Sequence, residues 1–239
     1  MTSKNTLIIG TRGSALALAQ ADMVRAALSA LHPGLDIRRE IIRTTGDRRT
    51  DVPLADVARV SGIVDKGIFI KELETALLEG RIDVAVHSLK DVPSELAPEF
   101  RLPAVLPRAA AEDVLITKEP DWNGRGTLAT GSVRRRLMAR TYWGRQLRFE
   151  DLRGNVPTRL EKLVEHPEWD AVILAKAGLE RLGLYAPETV VQGRKLYMRP
   201  LSVEAFIPAV GQGIVGMECR ASDRRTKELL AGINDAETC

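Results

Sequence analysis

The feature that most constrains the fold is an apolar run, Ile82–Val86, that gives way abruptly to the polar stretch His87–Pro93. Its alternation and its β-branched residues are typical of a buried strand. Pro93 blocks regular structure and favours an extended residue before it, so Lys90 and Asp91 are predicted to lie on a short, stiff corner. Because ligands bind at the carboxyl ends of strands in open α/β sheets, this corner is a candidate site. A lone Lys-Asp pair is also consistent with a solvated turn, but the other strand ends favour a site.

A strand, a glycine turn and a helix are predicted at the start of the chain. Leu7–Ile9 is the strand, Gly10–Ser14 the turn and Ala15–Leu31 an amphipathic helix. Ser14 is the predicted helix cap, and the free N–H groups at such a helix start bind anions. Arg12 adds a charged donor there, although plain capping by Ser14 would explain the pattern without a ligand. The residues predicted to face the core are Leu16, Ala19, Met23, Ala27 and Leu31.

The same arrangement is predicted again in the second half of the chain. Leu128–Thr130 forms a strand, Gly131 and Ser132 form a turn, and Arg134–Arg136 lie in the first turn of a helix. Cations are disfavoured at a helix N-terminus, so three arginines there predict that an anion binds among them. A solvated basic face is the alternative.

Two further strand ends also carry basic residues. Leu147–Leu152 is followed by Arg153, and Trp169–Leu174 is followed by Lys176, so three successive strand ends are predicted to form one basic lining. Leu196–Leu201 is predicted to return the chain towards the first domain. Other predicted elements carry Arg159 in a helix over 156–164, Arg181 in a helical turn and Gln212 in a glycine turn over 207–213.

Positive charge is concentrated in one window of the sequence. The chain has a net charge of +3, but residues 131–160 alone carry +6, from eight arginines, no lysine and two acids. Arginine without lysine favours fork-like recognition of carboxylate or phosphate groups. Nucleic-acid binding is disfavoured because aromatic residues make up only 4% of the chain and stacking platforms are scarce.

Cysteine usage and hydropathy indicate the cellular compartment of the protein. The two cysteines, Cys219 and Cys239, form no metal-binding pattern, so we expect no metal site and a reducing, cytoplasmic environment. No apolar run approaches the length of a membrane span. We therefore expect a soluble monomer that contacts neither membrane nor nucleic acid.

One long polar segment precedes a clear helix. Residues 47–66 have weak periodicity, which predicts a lid loop, with a solvated surface loop as the alternative. The spacing over Ile68–Leu78 predicts an amphipathic helix with Phe69, Leu73 and Leu77 facing inward and Gly80 at its end.

Several stretches together resemble the porphobilinogen deaminase family, whose members are also called hydroxymethylbilane synthases. The resemblance extends over nearly the whole chain. The matching stretches are Thr11–Ser14 with Leu16, Ala17 and Gln20, Thr45–Asp47, Lys66–Phe69 with Lys71–Glu74, His87–Pro93, Arg134–Arg135 after Gly131–Ser132, Arg153–Asn155 with Thr158–Leu160, Ala177–Leu179 with Arg181–Leu182, and Pro208–Arg220.

The resemblance implies an α/β fold of two domains like the lobes of type II periplasmic binding proteins, with the site in a cleft between them. Residues 1–102 and 200–222 would form the first domain and residues 103–199 the second. Family members are transferases of porphyrin and heme biosynthesis. They condense four porphobilinogen molecules, with release of ammonia, into the linear tetrapyrrole hydroxymethylbilane. The product grows on a dipyrromethane primer that is attached to a cysteine of a third, small α+β domain.

The resemblance also implies roles for individual residues. Asp91 would be catalytic together with Lys90, because a carboxylate near the pyrrole N–H groups stabilises the positive charge that develops when ammonia leaves. Arginines would hold the acetate and propionate groups of the pyrroles. The residues implied to bind the dipyrromethane are Arg12, Ser14, Ser88, Lys90, Asp91, Ser132, Arg134, Arg135, Arg153 and Gly154. The residues implied to bind the substrate are Arg12, Arg159, Arg181 and Gln212.

The sequence departs from the family pattern in two places. The Leu-Glu-Gly-Gly-Cys motif of the third domain is not found, so this domain is expected to be either truncated, with residues 223–239 at its start, or absent as in a variant of the family. Neither Cys219 nor Cys239 has the surroundings of the cofactor cysteine. At Ala110–Asp113, relatives tend to have Pro-Arg before the aspartate. A non-catalytic module that binds a polycarboxylate therefore stands as the alternative to the enzyme.

Overall fold

The computed structural model describes residues 5–48 and 70–238, without the side chains of residues 47 and 48. Most of the predicted lid over 47–66 lies outside these residues, as do the motif Lys66–Phe69 and Cys239. The described residues divide into two compact units. Unit 1 comprises residues 5–48, 70–109 and 214–238, and unit 2 comprises residues 110–213. The domain boundaries implied by the resemblance stay a prediction.

Strands and helices alternate through most of the described chain. The strands are β1 (Thr6–Thr11), β2 (Asp36–Ile41), β3 (Val84–Ser88), β4 (Phe100–Val105), β5 (Asp113–Thr117), β6 (Gly126–Ala129), β7 (Leu147–Glu150), β8 (Ala171–Ala175), β9 (Glu188–Val191), β10 (Arg194–Pro200) and β11 (Val215–Arg220). The helices are α1 (Ala15–Leu31), α2 (Thr45–Arg48), α3 (Lys71–Leu78), α4 (Val133–Trp143), α5 (Val156–Glu165), α6 (Lys176–Arg181) and α7 (Arg224–Ala231). A single 3-10 turn, Leu89–Asp91, follows β3.

Unit 1 is built on a five-stranded mixed sheet with the order β2-β1-β3-β11-β4. Strand β1 pairs in parallel with β2 and β3, whereas β11 runs antiparallel to β3 and β4. The carboxyl ends of β1, β2 and β3 therefore lie at one edge of the sheet. That edge receives the two polar stretches that the sequence analysis singled out, Arg12–Ser14 after β1 and Leu89–Asp91 after β3.

Helix α1 begins and ends where the sequence predicts, but it buries a different face. The buried residues are Ala17, Gln20, Ala21, Val24 and Leu28. Met23 and Leu31, which were predicted to face inward, are exposed. The buried positions recur at intervals of three and four residues, so they form one helical face that is rotated from the predicted one. In α3 the inward positions of Leu73 and Leu77 are confirmed, and Gly80 follows the helix with a positive φ of 68°.

Unit 2 is built on a six-stranded mixed sheet with the order β7-β6-β8-β5-β10-β9. Strand β6 pairs in parallel with β7 and β8, and β5 runs antiparallel to β8. The sequence predicts that Leu196–Leu201 returns the chain towards the first domain, which is wrong: β10 occupies most of this stretch and pairs with β5 inside unit 2. Strand β9, which was not predicted, pairs with β10 and extends the sheet.

Both faces of the unit 2 sheet are buried, which explains its continuous apolar runs. Along β8, Val172 and Leu174 belong to one apolar cluster, and Ala171 and Ile173 belong to another. Among the described residues, no helix is both long enough and apolar enough to cross a lipid bilayer.

Candidate active site

The first strand end of unit 1 combines two kinds of group that bind anions. Ser14 has an extended backbone, and its hydroxyl accepts a hydrogen bond from the Ala17 N–H at 3.3 Å, which confirms it as the N-cap of α1. Arg12 lies half-buried between the end of β1 and this cap. The edge of the sheet therefore combines a guanidinium group with the positive end of a 17-residue helix.

The corner after β3 is short and stiff, as the sequence predicts. Leu89–Asp91 forms a 3-10 turn, closed by a hydrogen bond of 3.1 Å from the Val92 N–H to the Leu89 carbonyl, and Pro93 follows. Lys90 and Asp91 are both half-buried. Within residues 5–48 and 70–238, the Asp91 carboxylate makes no recorded hydrogen bond or ion pair, so its charge is available to a ligand.

Ser88, the last residue of β3, is fixed by the buried side chain of Gln20 on α1. The Ser88 hydroxyl lies 2.8 Å from Nε2 and 3.1 Å from Oε1 of Gln20. This contact joins the helix start to the corner, so Ser88 holds the two strand ends of unit 1 in register.

A buried acid that the sequence analysis assigned no role supports the same strand. Glu218 of β11 is fully buried, and its Oε2 lies 2.9 Å from Nε2 of His87. The pKa of Glu74 on α3 is raised by burial and by the nearby charge of Glu218. The burial of Glu218 could not be predicted from the sequence, because an acid at the end of an apolar strand is normally predicted to face solvent.

In unit 2, Ser132 is confirmed as the N-cap of α4, since its hydroxyl accepts a hydrogen bond from the Arg135 N–H at 3.3 Å. The arginines of this turn contact acids of the chain itself. Arg136 pairs with Asp151 at the surface, whereas Arg134 and Arg135 pair with Asp113. The sequence analysis predicted a bound anion here and missed that the protein supplies one.

Asp113 is the fully buried first residue of β5. Its Oδ2 accepts a hydrogen bond from Arg134 Nη2 at 2.6 Å, and its Oδ1 accepts one from Arg135 Nη2 at 2.7 Å. Burial alone would raise the pKa of Asp113, but the charges and hydrogen bonds of Arg135 and Arg134 outweigh it and hold the pKa below its ordinary value. Gln212 is fully buried, and its Nε2 donates to Asp113 Oδ1 at 3.1 Å and to the Ala111 carbonyl at 2.7 Å.

The end of β7 carries Arg153 and Gly154, as predicted. Gly154 has a φ of 122°, a conformation that side chains disfavour, and a Cβ there would lie 2.9 Å from the Thr158 side chain. Its carbonyl accepts a hydrogen bond from Arg159 Nε at 2.7 Å. Asn155 caps α5. Arg153 and Arg159 are thus placed, half-buried, at the same strand end.

Arg181 at the end of α6 has a buried donor atom that no described residue satisfies. Its Nη2 donates to the Gly213 carbonyl at 2.7 Å, but its buried Nε has no hydrogen-bond partner. No carboxylate of the described residues forms an ion pair with it. Burial lowers the pKa of Arg181, and the charge of the neighbouring Glu180 opposes this only in part. A half-buried guanidinium with an unsatisfied Nε–H is a group that a ligand carboxylate can bind.

The structure therefore brings the sequence-predicted residues together at one edge in each unit. Unit 1 carries Arg12, Ser14, Ser88, Lys90 and Asp91. Unit 2 carries Ser132, Arg134, Arg135, Arg153, Gly154, Arg159, Arg181 and Gln212. Within residues 5–48 and 70–238, no group of three or more His, Cys, Asp or Glu side chains is arranged to hold a metal ion.

Comparison with known proteins identifies the family. The family model described as "Porphobilinogen deaminase, dipyromethane cofactor binding domain" matches residues 7–228. The chain belongs to the porphobilinogen deaminase family. The porphobilinogen deaminase of Syntrophotalea carbinolica is 44% identical over 241 residues, covering 99% of this chain and 71% of the relative. That of Acidithiobacillus ferrooxidans is 43% identical over 238 residues, covering 98% of this chain and 72% of the relative.

Solved structures confirm the fold class. The BenM effector binding domain with its effector benzoate has a TM-score of 0.53 and 15% identity, covering 95% of this chain and 90% of that chain. The methionine binding protein MetQ has a TM-score of 0.52 and 10% identity, covering 98% and 92%. The α/β architecture of two units, each like a lobe of a type II periplasmic binding protein, is therefore shown. Members of the deaminase family are transferases of tetrapyrrole biosynthesis.

The donor set fits the carboxylates of a dipyrromethane, the cofactor of this family domain. Guanidinium groups, serine hydroxyls and helix N-termini are the groups that bind acetate and propionate. The described cysteine does not fit as its attachment point. Cys219 is fully buried in the core of unit 1, and burial raises the pKa of its thiol to about 11, so it is neither accessible nor nucleophilic.

Proposed function

We propose that this chain acts as a hydroxymethylbilane synthase, which condenses four porphobilinogen molecules stepwise, releases ammonia at each step and forms the linear tetrapyrrole. Family membership supports this reaction. Among the structural observations, the one that carries it is the Asp91 carboxylate, half-buried on a stiff corner and without a partner among the described residues.

Asp91 provides the charge that the chemistry requires. As ammonia leaves the aminomethyl group of porphobilinogen, positive charge develops on the pyrrole. A fixed carboxylate near the pyrrole N–H groups stabilises that charge more strongly than it stabilises the neutral substrate. Lys90 lies next to it on the same turn.

The arginines and serines provide carboxylate recognition. Arg12, Ser14 and Ser88 do so at the strand ends of unit 1. Those of unit 2 are Ser132, Arg134, Arg153, Arg159 and Arg181, with Gly154 giving its backbone conformation and Gln212 its buried amide. Arg135 contributes indirectly, through its buried contact with Asp113. Each pyrrole brings two carboxylates, which is why several separate cationic groups are needed.

The dipyrromethane, when bound, supplies the pyrrole terminus that is extended. The residues that would hold its acetate and propionate groups are those named above for cofactor binding, in particular Arg12, Ser132, Arg134 and Arg153. We further propose that the enzyme is a cytoplasmic monomer that binds neither nucleic acid nor membrane.

A second candidate, a non-catalytic module that binds a polycarboxylate, is favoured by one observation. Cys219 does not fit as the attachment point of a cofactor. Such a module would use the same arginines but would not consume porphobilinogen.

One experiment separates the two candidates. The purified chain is incubated with porphobilinogen, and both ammonia release and substrate consumption are followed, with calorimetry for binding. The synthase predicts one ammonia released for each porphobilinogen consumed. Binding with no consumption would support the module instead, and neither binding nor consumption would exclude both.

A further inference from the structure

Asp113 stands where it can organise the arginines of unit 2. It opens β5, and it lies in register opposite Ala175, the last residue of β8. Because β5 runs antiparallel to β8, the start of β5 lies at the edge where β6, β7 and β8 end. The carboxylate is fully buried at this edge, directly beneath the first turn of α4.

The two arginines use Asp113 in different ways. Arg135 donates from both Nε, at 3.2 Å, and Nη2, at 2.7 Å, to Oδ1. Only 7% of its side chain is exposed, so it has little surface left for a ligand. Arg134 donates from Nη2 to Oδ2, and its side chain is 27% exposed.

A second contact completes the placement of Arg134. Its Nη1 donates to the Ile207 carbonyl at 2.6 Å. The planar guanidinium is thus held by a carboxylate and a carbonyl, and its other N–H groups make no hydrogen bond within the described residues. Two arginines against one buried acid leave one net positive charge at this strand end.

We propose that Asp113 is a positioning residue, which reserves Arg135 as a buried support and orients Arg134 as the group that binds a ligand carboxylate. This inference rests on the proposed function for the identity of the ligand. The orientation of Arg134 itself is a property of the free protein.

A neighbouring pair on the same helix provides a matched control. Arg136 pairs with Asp151, but the Asp151 side chain is 54% exposed. Exposed pairs contribute little to order or stability, whereas a buried charge-assisted pair fixes geometry. Asp151→Asn therefore removes an arginine partner of the same kind without affecting Arg134.

The first test reads the orientation of Arg134 without any ligand. The arginine Nε–H resonance of Arg134 is assigned in nitrogen–proton NMR spectra by its loss in Arg134→Gln. We expect it to be sharp in the native chain and in Asp151→Asn, and to broaden or vanish in Asp113→Asn. A sharp, unshifted Arg134 resonance in folded Asp113→Asn would overturn the proposal.

The second test is a double-mutant cycle on the binding of a free dipyrromethane with acetate and propionate groups, the ligand assigned to Arg134 above, measured as Kd by calorimetry. Asp113→Asn should raise this Kd by about tenfold, the loss of one well-oriented charge-assisted hydrogen bond. In the Arg134→Gln background the same change should have an effect of less than about twofold, because Asp113 acts through Arg134. An equal loss in both backgrounds would contradict this.

A fallback variant covers the case in which Asp113→Asn does not fold. Arg135→Lys keeps a positive charge beside Asp113 but loses the two-point contact, so we expect a smaller rise in Kd that again disappears with Arg134→Gln. A folded Arg135→Lys with native Kd and a native Arg134 resonance would refute the support role. If the native chain binds no porphobilinogen, the proposed function fails, and the NMR result still decides the role of Asp113.

Discussion

The two units share one frame but place their acids differently. Each sheet contains three neighbouring parallel strands, and an antiparallel strand pairs with the last of the three. This antiparallel strand is β11, beside β3, in unit 1 and β5, beside β8, in unit 2. The registers correspond, with Ser88 opposite Val215 and Ala175 opposite Asp113. Even the next hydrogen bond matches, since the N–H after each parallel strand donates at 3.0 Å to the carbonyl before the antiparallel strand.

At the matched position, unit 1 has Val215 and unit 2 has Asp113, and both are fully buried. The buried acid of unit 2 is neutralised by Arg134 and Arg135. Unit 1 has an apolar residue there, and its acid, Asp91, lies instead half-buried on the corner after β3. We propose that the same backbone frame serves ligand recognition where the acid lies beneath arginines, and catalysis where the acid has no partner among the described residues.

Transplanting the buried acid into unit 1 should have the largest effect. Val215→Asp would place a carboxylate in the apolar cluster that contains Leu7 and Ile9, and this cluster includes no arginine. We expect the free energy of unfolding to fall by at least about 4 kcal/mol near neutral pH, measured by urea denaturation.

The pH dependence separates charge from shape in that variant. Burial raises the pKa of such a carboxyl, so its cost should shrink as the pH falls and the group becomes neutral. Val215→Ala, which only leaves a cavity, should show no such dependence. If the Val215→Asp chain were as stable as Val215→Ala at neutral pH, the claim that only unit 2 accommodates a buried acid at this position would be wrong.

Removing the acid of unit 2 should have the next largest effect on stability. Asp113→Asn leaves Arg135 buried with a weakened partner, so we expect a loss of about 3 kcal/mol in the free energy of unfolding at pH 7. Because the pKa of Asp113 is lowered in the folded state, its contribution is complete above its unfolded pKa of about 3.9. The difference between native and variant chains should therefore vanish as the pH falls through the folded-state pKa. Asp151→Asn should change stability by less than about 1 kcal/mol at any pH.

The comparison also shows what the sequence could predict. The strand ends, the caps Ser14 and Ser132 and the corner at Leu89–Asp91 were predictable, because turn and cap residues act over a few neighbours. The partner of Arg134 was not, because Asp113 is 21 residues away in sequence and meets it only through strand pairing. A run of three arginines at a helix start correctly indicated an anion but did not tell whether the protein or a ligand supplies it.

The prediction of the buried face of α1 was wrong for a related reason. Helical spacing favoured the face that carries Met23 and Leu31, yet the helix buries Ala17, Gln20 and Ala21. Gln20 is tolerated there because Ser88 satisfies its amide. Such a pairing depends on tertiary contacts that a periodicity analysis does not contain.

A smaller effect is expected where the protein leaves a cation without an acid. Arg181→Gln should raise Kd for porphobilinogen by about 10- to 100-fold, since one charge-assisted contact to a carboxylate is lost. It should not lower the stability of the free chain, because the arginine is a buried charge without an ion-pair partner among the described residues. Arg194→Gln, which removes an exposed arginine near Glu119, is the matched control and should bind normally. Marked destabilisation by Arg181→Gln would mean that Arg181 supports the fold rather than a ligand.

The smallest effect is expected at Cys219. Cys219→Ala should cost about 1 kcal/mol of stability and leave porphobilinogen turnover and any bound dipyrromethane unchanged. Intact-mass measurement checks the second point. A dipyrromethane present on the native chain and absent from Cys219→Ala would assign the attachment to unit 1 and contradict the burial argument.

The most direct test of the central claim is the rate of ammonia release from porphobilinogen by Asp91→Ala, beside Glu95→Ala, an exposed acid on the same loop. We predict a loss of at least about 10²- to 10³-fold for Asp91→Ala with unchanged fold and little change in Kd, and a native rate for Glu95→Ala. Near-native turnover by Asp91→Ala would contradict the account.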